Sequence, residues 1–381
     1  MPWADDEGDV ADLNVHSLKA LLRQRGLAVG GVKAVLVARL EQWADRVSSA
    51  GDEPRPRKPT VALYLRGACS CALFLGILFI VGHSFGVELF AALALGVQLV
   101  VFALHAFPNN SEKFYDLTGS ATHLALVLAS CLLGGRREWS PRQLFVAVAS
   151  SLWLSRLGTY LYSRILRDGK DERFDALKPV WVSFLGAWCG QAVWVMFIQL
   201  PVVLLNGSSD TAPATTLLDV AGMLLWFVGF AFEVAADTQK IAFRSRRANK
   251  KRWISTGLWR YSRHPNYFGE ILMWSSMALV ASSAPLAKVF DCAASAVAAA
   301  DLGALASCAG GLHSRLVGAW ISPAFTAFLL LKVSGVPMLE ALGAKKWGEE
   351  AAYVHYVKHT ACVVPWWPAP EVAEVEEKKR A

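Results

Sequence analysis

Charge is scarce in this 381-residue chain: 18% of its residues are Asp, Glu, Lys or Arg, where about 25% is usual for a soluble globular domain. Hydrophobic residues make up 54%. Disorder as the dominant state needs the opposite balance and is excluded. With 29 glycines and 7 cysteines the chain falls far short of a collagen or a disulfide scaffold. It has no CxxC pair and no Cys/His set with zinc spacing. The cysteines, Cys69, Cys71, Cys131, Cys189, Cys292, Cys308 and Cys362, therefore read as buried thiols acting as small hydrophobes, and no metal is expected. No GxGxxG follows a strand pattern, so a Rossmann dinucleotide site is not available. No cleavable signal peptide opens the sequence, because the first apolar run begins only after Leu65.

What the chain does have is long hydrophobic runs, at 66–82, 86–107, 120–134, 143–166, 180–205, 215–236, 267–284 and 316–333. Most approach the roughly 20 residues that cross a bilayer as a helix; 120–134 is the shortest. They do not alternate, which excludes a membrane β-barrel. The expected fold is all-α: a multi-pass transmembrane bundle of about seven to eight spans over 66–370, with a charged tail at 371–381. The Ala-rich stretch 286–312 reads as an extra helix or a loop. Fifteen tryptophans suit membrane–water boundaries.

Segment 240–263 holds Lys240, Arg244, Arg246, Arg247, Lys250, Lys251, Arg252, Arg260 and Arg263 with no acid, so the positive-inside rule places it in the cytosol. Counting spans outward puts both termini there as well. Asn206-Gly207-Ser208 then falls on the far side as a usable glycosylation sequon. Arg136, Arg137 and Arg142 run against the count.

Residues 1–47 read as a separate helix–loop–helix module, followed by a polar, Pro-rich linker at 48–65. Asn14 caps a helix over Val15–Arg25, with Val15, Leu18, Leu21 and Leu22 on one face. After Gly30-Gly31 a second helix presents Val35, Leu36, Leu40 and Trp43. The pattern Leu13, Val15, Leu18-Lys19, Leu22, Arg25-Gly26-Leu27, Gly31, Lys33, Leu36-Val37, Arg39-Leu40 resembles the SAP motif of chromatin and RNA proteins. That resemblance implies DNA or RNA contact at the start of the second helix, through Lys33 and Arg39. Nine basic residues in 1–59 are matched by nine acids, so a protein-interaction role is equally compatible.

Ionisable groups within membrane helices are expensive and default to function. Glu233, Asp237, Lys240 and Arg244 lie at i, i+4, i+7 and i+11, on one stripe of the sixth span. An ion-paired helix end would explain them; so would a polar wall for a charged ligand. The run Gly257-Leu258-Trp259-Arg260-Tyr261-Ser262-Arg263-His264-Pro265-Asn266-Tyr267-Phe268-Gly269-Glu270 places Pro265 at the first position of the seventh span, beside an arginine cluster suited to an anion. A topogenic basic loop would account for the arginines but not for Asn266 and Glu270 at membrane depth. Arg156, Tyr160 and Arg164 share a face of the fourth span, and Glu88 and Asp116 are candidate partners for Arg156.

On these motifs, together with Gly169-Lys170-Asp171, Phe232-Glu233, Ser322-Pro323, Val333-Ser334-Gly335-Val336-Pro337, Leu339-Glu340, Tyr353 and Tyr356, residues from about 65 to 370 resemble the DUF1295 family, related to the steroid 5-alpha-reductase C-terminal domain. The resemblance implies a membrane reductase that uses NADPH on a lipid-soluble substrate among membrane lipids, in the endoplasmic reticulum or nuclear envelope. It assigns the cofactor to Arg156, Arg164, Asp237, Lys240, Arg244, Trp259, Arg263, His264, Asn266, Tyr353 and Tyr356, and catalysis to Tyr267, Tyr160 and Glu270. Trp153 stands where a phenol is expected, which leaves the proton donor open. Two other readings remain: an S-adenosylmethionine methyltransferase similar to isoprenylcysteine carboxyl methyltransferases, which share the RHP-x-Y segment, and a membrane tether for chromatin or RNA.

Overall fold

The computed structural model describes residues 13–24, 27, 29, 32–50, 59–134, 139–168, 171–207, 215–301, 303 and 313–367. The chain divides into two compact units, Met1–Thr60 and Val61–Ala381.

In the first unit, α1 (Val15–Gln24) and α2 (Lys33–Ala50) pack around Leu18, Leu22, Leu36 and Leu40. Asn14 Oδ1 accepts the Ser17 N–H at 2.9 Å and caps α1. Val15 and Val35, expected on the seam, are exposed, since two short helices bury only a leucine-wide stripe. Gly26, Gly30 and Gly31 lie outside the described residues.

The second unit has eight helices long and apolar enough to cross a membrane, one for each expected run. They are α3 (Val61–Phe85), α4 (Glu88–Asn109), α5 (Tyr115–Leu133), α6 (Pro141–Asp168), α7 (Trp181–Asn206), α8 (Leu217–Ser245) and α9 (Pro265–Ala298). The eighth, Arg315–Trp347, joins α10 (His313–Phe328) to α11 (Val336–Trp347) through a π turn at Leu329–Val333. A short α12 (Ala351–His359) follows. No strand occurs among the described residues.

The helices outrun the hydrophobic runs at polar ends. α5 starts at Tyr115, α8 continues to Ser245 and carries Lys240 and Arg244 with it, and α9 absorbs the first part of the Ala-rich stretch. Residues 304–312 lie outside the described residues.

α7 is the central helix: 78% of its apolar window is buried, against 22–39% for the other spans. α3, α4, α5 and α10 surround it. Phe79, Leu104, Leu132 and Leu224 point outward and are exposed, as lipid-facing side chains are. α8 and α9 cross closely through small residues. A Cβ on Gly269 would come 2.5 Å from the Gly229 carbonyl oxygen, so the two backbones touch there.

Several expectations change. Arg142 is 2% exposed and donates to Asp219 through Nε (3.0 Å) and Nη2 (2.6 Å), so it is a buried helix-to-helix pin rather than a topogenic charge. Asn206 is buried and donates to Ser130 Oγ at 2.9 Å, which leaves its amide closed to a glycan. Among the described cysteines Cys189 is a buried free thiol, Cys69 is exposed, Cys71, Cys131 and Cys362 are half-buried, and Cys292 is in a disulfide; Cys308 lies outside the described residues. Arg136 and Arg137 lie outside the described residues.

Candidate functional site

The site begins with how α6 is fastened to α8. Arg156 of α6 joins side chain to side chain with both Glu233 and Asp237 of α8. These carboxylates, not Glu88 or Asp116, are its partners. Glu88 faces His83, and Asp116 lies 3.8 Å from Arg173. Asn266, at the start of α9, donates to Asp237 Oδ1 at 3.2 Å. Glu270, one turn further along α9, has Glu233, Asp237 and Arg156 as electrostatic neighbours. Tyr267 neighbours Glu270, Asp237 and the exposed Tyr160. Three carboxylates thus share one guanidinium at the mouth of the bundle. Tyr267 also lies flat on the His264 ring, 5.2 Å between centroids.

Beyond this cluster a cleft opens among α8, the 252–264 segment, α11 and α12. Its lining includes Lys240, Arg244, Arg252, Arg263 and a single carboxylate, Glu340. The floor is Trp259, over whose ring the Lys240 ammonium stands at 4.9 Å. Trp259 is fixed by its indole N–H to the Ala236 carbonyl (3.0 Å) and by the Tyr356 hydroxyl to its own carbonyl (2.7 Å). Gly257 allows this turn: its φ is +62°, and a Cβ would meet Gln239 Oε1 at 2.5 Å while that oxygen accepts the Leu258 N–H. The segment after α12 closes the wall, with the Arg263 N–H donating to the Ala361 carbonyl and the Ser262 hydroxyl to the Val363 carbonyl.

Arg263 Nη1 lies 2.6 Å from Glu340 Oε1, and His264 Nε2 lies 3.4 Å from the same oxygen. Burial pushes the His264 imidazole down to about 4; Glu340 pulls it upward, and Arg263 and Lys240 push with burial. His264 is therefore neutral at physiological pH. Burial likewise raises the phenols of Tyr353 and Tyr356 and the Cys362 thiol. His264, Glu340 and Cys362 bring donor atoms within 4.8 Å of one another, but the cation already seated on Glu340 is the Arg263 guanidinium.

With this geometry in place, the family model described as "Protein of unknown function (DUF1295)" matches residues 101–310, over half the chain. This chain belongs to the DUF1295 family. A SAP domain model matches residues 9–45 of the same DUF1295 protein. No curated protein and no solved structure matches it. The DUF1295 match takes in α5 to α9, and so the Arg156 cluster and the basic wall, whereas Glu340, Tyr353 and Tyr356 lie past its end.

In this DUF1295 chain the predicted residues separate into two groups. Lys240, Arg244, Trp259, Arg263, His264, Tyr353 and Tyr356 share the cleft. Arg156, Asp237, Asn266, Tyr160, Tyr267 and Glu270 form the carboxylate cluster beside it. Arg156 is committed to two carboxylates and is not presented to an anion. The Arg164 side chain lies outside the described residues. In the N-terminal unit Lys33 is exposed at the first position of α2, and Arg39 is half-buried and engaged. Sequence reading missed Glu340 as the counter-charge and Arg252 and Trp253 as wall residues; Leu339-Glu340 was visible only as a motif, and Arg252 only as part of a basic run.

The chemistry of the cleft lining is that of an anion site. Four cations face one carboxylate. Arg263 Nε and Trp253 Nε1 are buried donors with no partner among the described residues, and both residues line the cleft. Unsatisfied donors beside surplus positive charge call for a ligand rich in anionic acceptor oxygens.

Proposed function

We propose that this DUF1295 protein is an integral membrane reductase that uses NADPH to reduce a conjugated C=C bond in a lipid-soluble substrate of the steroid, sterol, polyprenol or enoyl class. The observation that carries the reading is the cleft in which Lys240, Arg244, Arg252 and Arg263 surround a tryptophan floor beside membrane-depth polar residues. NADPH supplies a hydride when bound. Lys240, Arg244, Arg252 and Arg263 hold phosphate oxygens, as fork and point-charge donors do. Trp259 gives a flat apolar face, and Tyr353 and Tyr356 close the outer wall. Asn266 and Asp237 orient an amide at the boundary between the cleft and the carboxylate cluster. Tyr267, Tyr160 and Glu270 lie on the membrane side, where a catalytic proton donor can reach the substrate.

S-adenosylmethionine carries one carboxylate and no phosphate, so it matches fewer of the four cations than a phosphorylated dinucleotide does. Purified protein, screened by thermal shift against both compounds, separates the readings. Stabilisation by NADPH is expected; stabilisation by S-adenosylmethionine alone would overturn the reductase.

The membrane domain is proposed to sit in the endoplasmic reticulum or nuclear envelope with both termini cytosolic. The disulfide at Cys292 supports this sidedness. It lies 27 residues along α9 from Pro265, about 40 Å of helix, and so at the end remote from the basic cleft. Disulfides persist on the oxidising side of a membrane. The SAP unit is then cytosolic or nucleoplasmic, placed to meet nucleic acid or a protein.

A further inference from the structure

One helical turn deeper than the carboxylate cluster, α5, α6, α7 and α9 meet at a second polar point that the cleft does not use. Trp153 lies three residues before Arg156 on α6, and Trp274 four residues after Glu270 on α9. His123 of α5 stands edge-on to Trp153 (5.4 Å between centroids), and Trp153 edge-on to Trp274 (5.0 Å). The three side chains are 1%, 2% and 2% exposed.

The hydrogen bonds tie the tautomer of His123 to the orientation of the Gln199 amide. The Gln199 amide nitrogen donates to Ser150 Oγ at 2.8 Å and lies 3.1 Å from His123 Nδ1, while the Ser150 hydroxyl donates back to Gln199 Oε1 at 3.2 Å. With the amide nitrogen facing the ring, Nδ1 accepts and the neutral ring carries its hydrogen on Nε2. Ser150 can bond either end of that amide, so the Nε2–H form of His123 is a premise of the subsite. His123 Nε2, Trp153 Nε1 and Trp274 Nε1 have no hydrogen-bond partner among the described residues.

Two buried indole N–H donors without an acceptor among the described residues, joined by a third when His123 carries its hydrogen on Nε2, are costly to leave unmet at membrane depth. Donors alone match a group that only accepts. A carbonyl oxygen is such a group; a hydroxyl or a carboxylic acid brings a hydrogen of its own. The surrounding cluster contains Met273 and Met277, unbranched side chains that can move aside for an apolar body.

We propose that His123, Trp153 and Trp274 form the subsite for the carbonyl oxygen of the lipid substrate, with Gln199 and Ser150 as the positioning residues that aim the His123 N–H. The choice of a conjugated carbonyl rests on the reductase reading. About 5 Å of helix separates this subsite from the Arg156–Glu270 level, a span that a short conjugated enone bridges. The N–H donors bind the oxygen and stabilise negative charge as it develops there.

The test uses the full chain in phosphatidylcholine nanodiscs. Affinities are measured for matched pairs with and without the carbonyl: cholest-4-en-3-one against cholest-4-ene, trans-2-hexadecenal against 2-hexadecene, and an α,β-unsaturated polyprenal against its deoxygenated polyprene. The wild type is expected to prefer the carbonyl member of at least one pair by about tenfold. His123→Phe should lose most of that preference. Trp153→Phe, which keeps an aromatic ring in the core, should lose several-fold. NADPH affinity, measured on the same samples, should stay unchanged in both variants, which also reports that they are folded. Equal binding of every pair by the wild type, or a preference retained in both variants, overturns the subsite. A wild type that prefers the carbonyl lipid but does not bind NADPH supports the subsite and removes the reductase reading.

Discussion

Arg156 reaches Glu233 across a sequence separation of 77 residues, and Arg142 reaches Asp219 across the same 77. α6 and α8 therefore run parallel in a single register, pinned at two levels 14 residues apart, or about 21 Å of helix. Asp219 also closes the capping box of α8 with Thr216 and takes the Ser283 hydroxyl from α9. The lower pin is almost wholly enclosed, its two side chains 3% and 0% exposed. The upper one leaves Glu233 Oε2 buried without a partner among the described residues, and there the chain departs from what stability alone requires.

Removing Arg156 should therefore unfold the mouth of the bundle. Arg156→Leu strands two carboxylates on α8 and is expected to cost about 3–5 kcal/mol. Arg156→Lys should recover only part, because an ammonium cannot fork between Glu233 and Asp237. Unfolding in detergent, followed by near-UV circular dichroism, checks both. A loss within experimental error for Arg156→Leu would mean that the pair does not hold α6 to α8.

The crossing of α8 and α9 sets the distance between Asp237 and Asn266. Gly269→Ala places a methyl 2.5 Å from the Gly229 carbonyl oxygen and 2.7 Å from the Glu233 nitrogen, so the helices must part. A cost of about 1–3 kcal/mol is expected. Gly76→Ala, where a Cβ meets nothing within 4 Å, should change stability by less than about 1 kcal/mol and in the stabilising direction. Thermal unfolding of the two variants side by side gives the comparison.

Much of this architecture is legible in the residues. Eight apolar runs become eight spans, because in lipid a long hydrophobic segment must satisfy its backbone as a helix. The stripe from Glu233 to Arg244 is legible from the 3.6-residue period. What cannot be read is which stripe meets which. Arg156 has several acids at membrane depth to choose from, and only packing selects Glu233 and Asp237. Glu340 reaches Arg263 through a return of the chain 77 residues later, which no local pattern announces. Asn206 and Arg142 were misread because sequon and charge rules assume exposure, and both side chains are buried.

If the cleft holds a phosphorylated nucleotide, its cations act singly. Lys240→Ala and Arg263→Ala should each weaken NADPH binding by about 1.5–3 kcal/mol, roughly ten- to a hundredfold. Arg263→Ala also frees Glu340 to face the cleft, so it should be the more damaging of the two. Fluorescence titration of the purified variants measures this. Unchanged affinity in both removes the site.

Acid should loosen the cleft through His264. Its folded-state pKa, about 4, lies below the ordinary value of 6.5, so between these values the unfolded chain binds the proton that the folded chain refuses. Stability therefore falls as pH drops from about 6.5 towards 4 and is insensitive to this group above 6.5. His264→Asn should flatten that part of the curve, although it also gives up the contact with Glu340. Unfolding midpoints between pH 4 and 8 decide it, and a slope of the same size in the variant would assign the acid sensitivity elsewhere.

The SAP unit offers Lys33 at the first position of α2, exposed, where backbone N–H groups and an ammonium point the same way. Nine bases against nine acids in residues 1–59 leave no general surplus, so any grip on nucleic acid must come from such local points. The full-length protein should bind duplex DNA weakly and release it as salt rises, and Lys33→Ala should lower both the affinity and the salt slope, the latter by about 1. Binding that ignores salt, or is indifferent to Lys33, would turn the unit towards a protein partner. A weak, local contact is what a membrane-anchored module can use, because confinement to a surface supplies the effective concentration that affinity lacks.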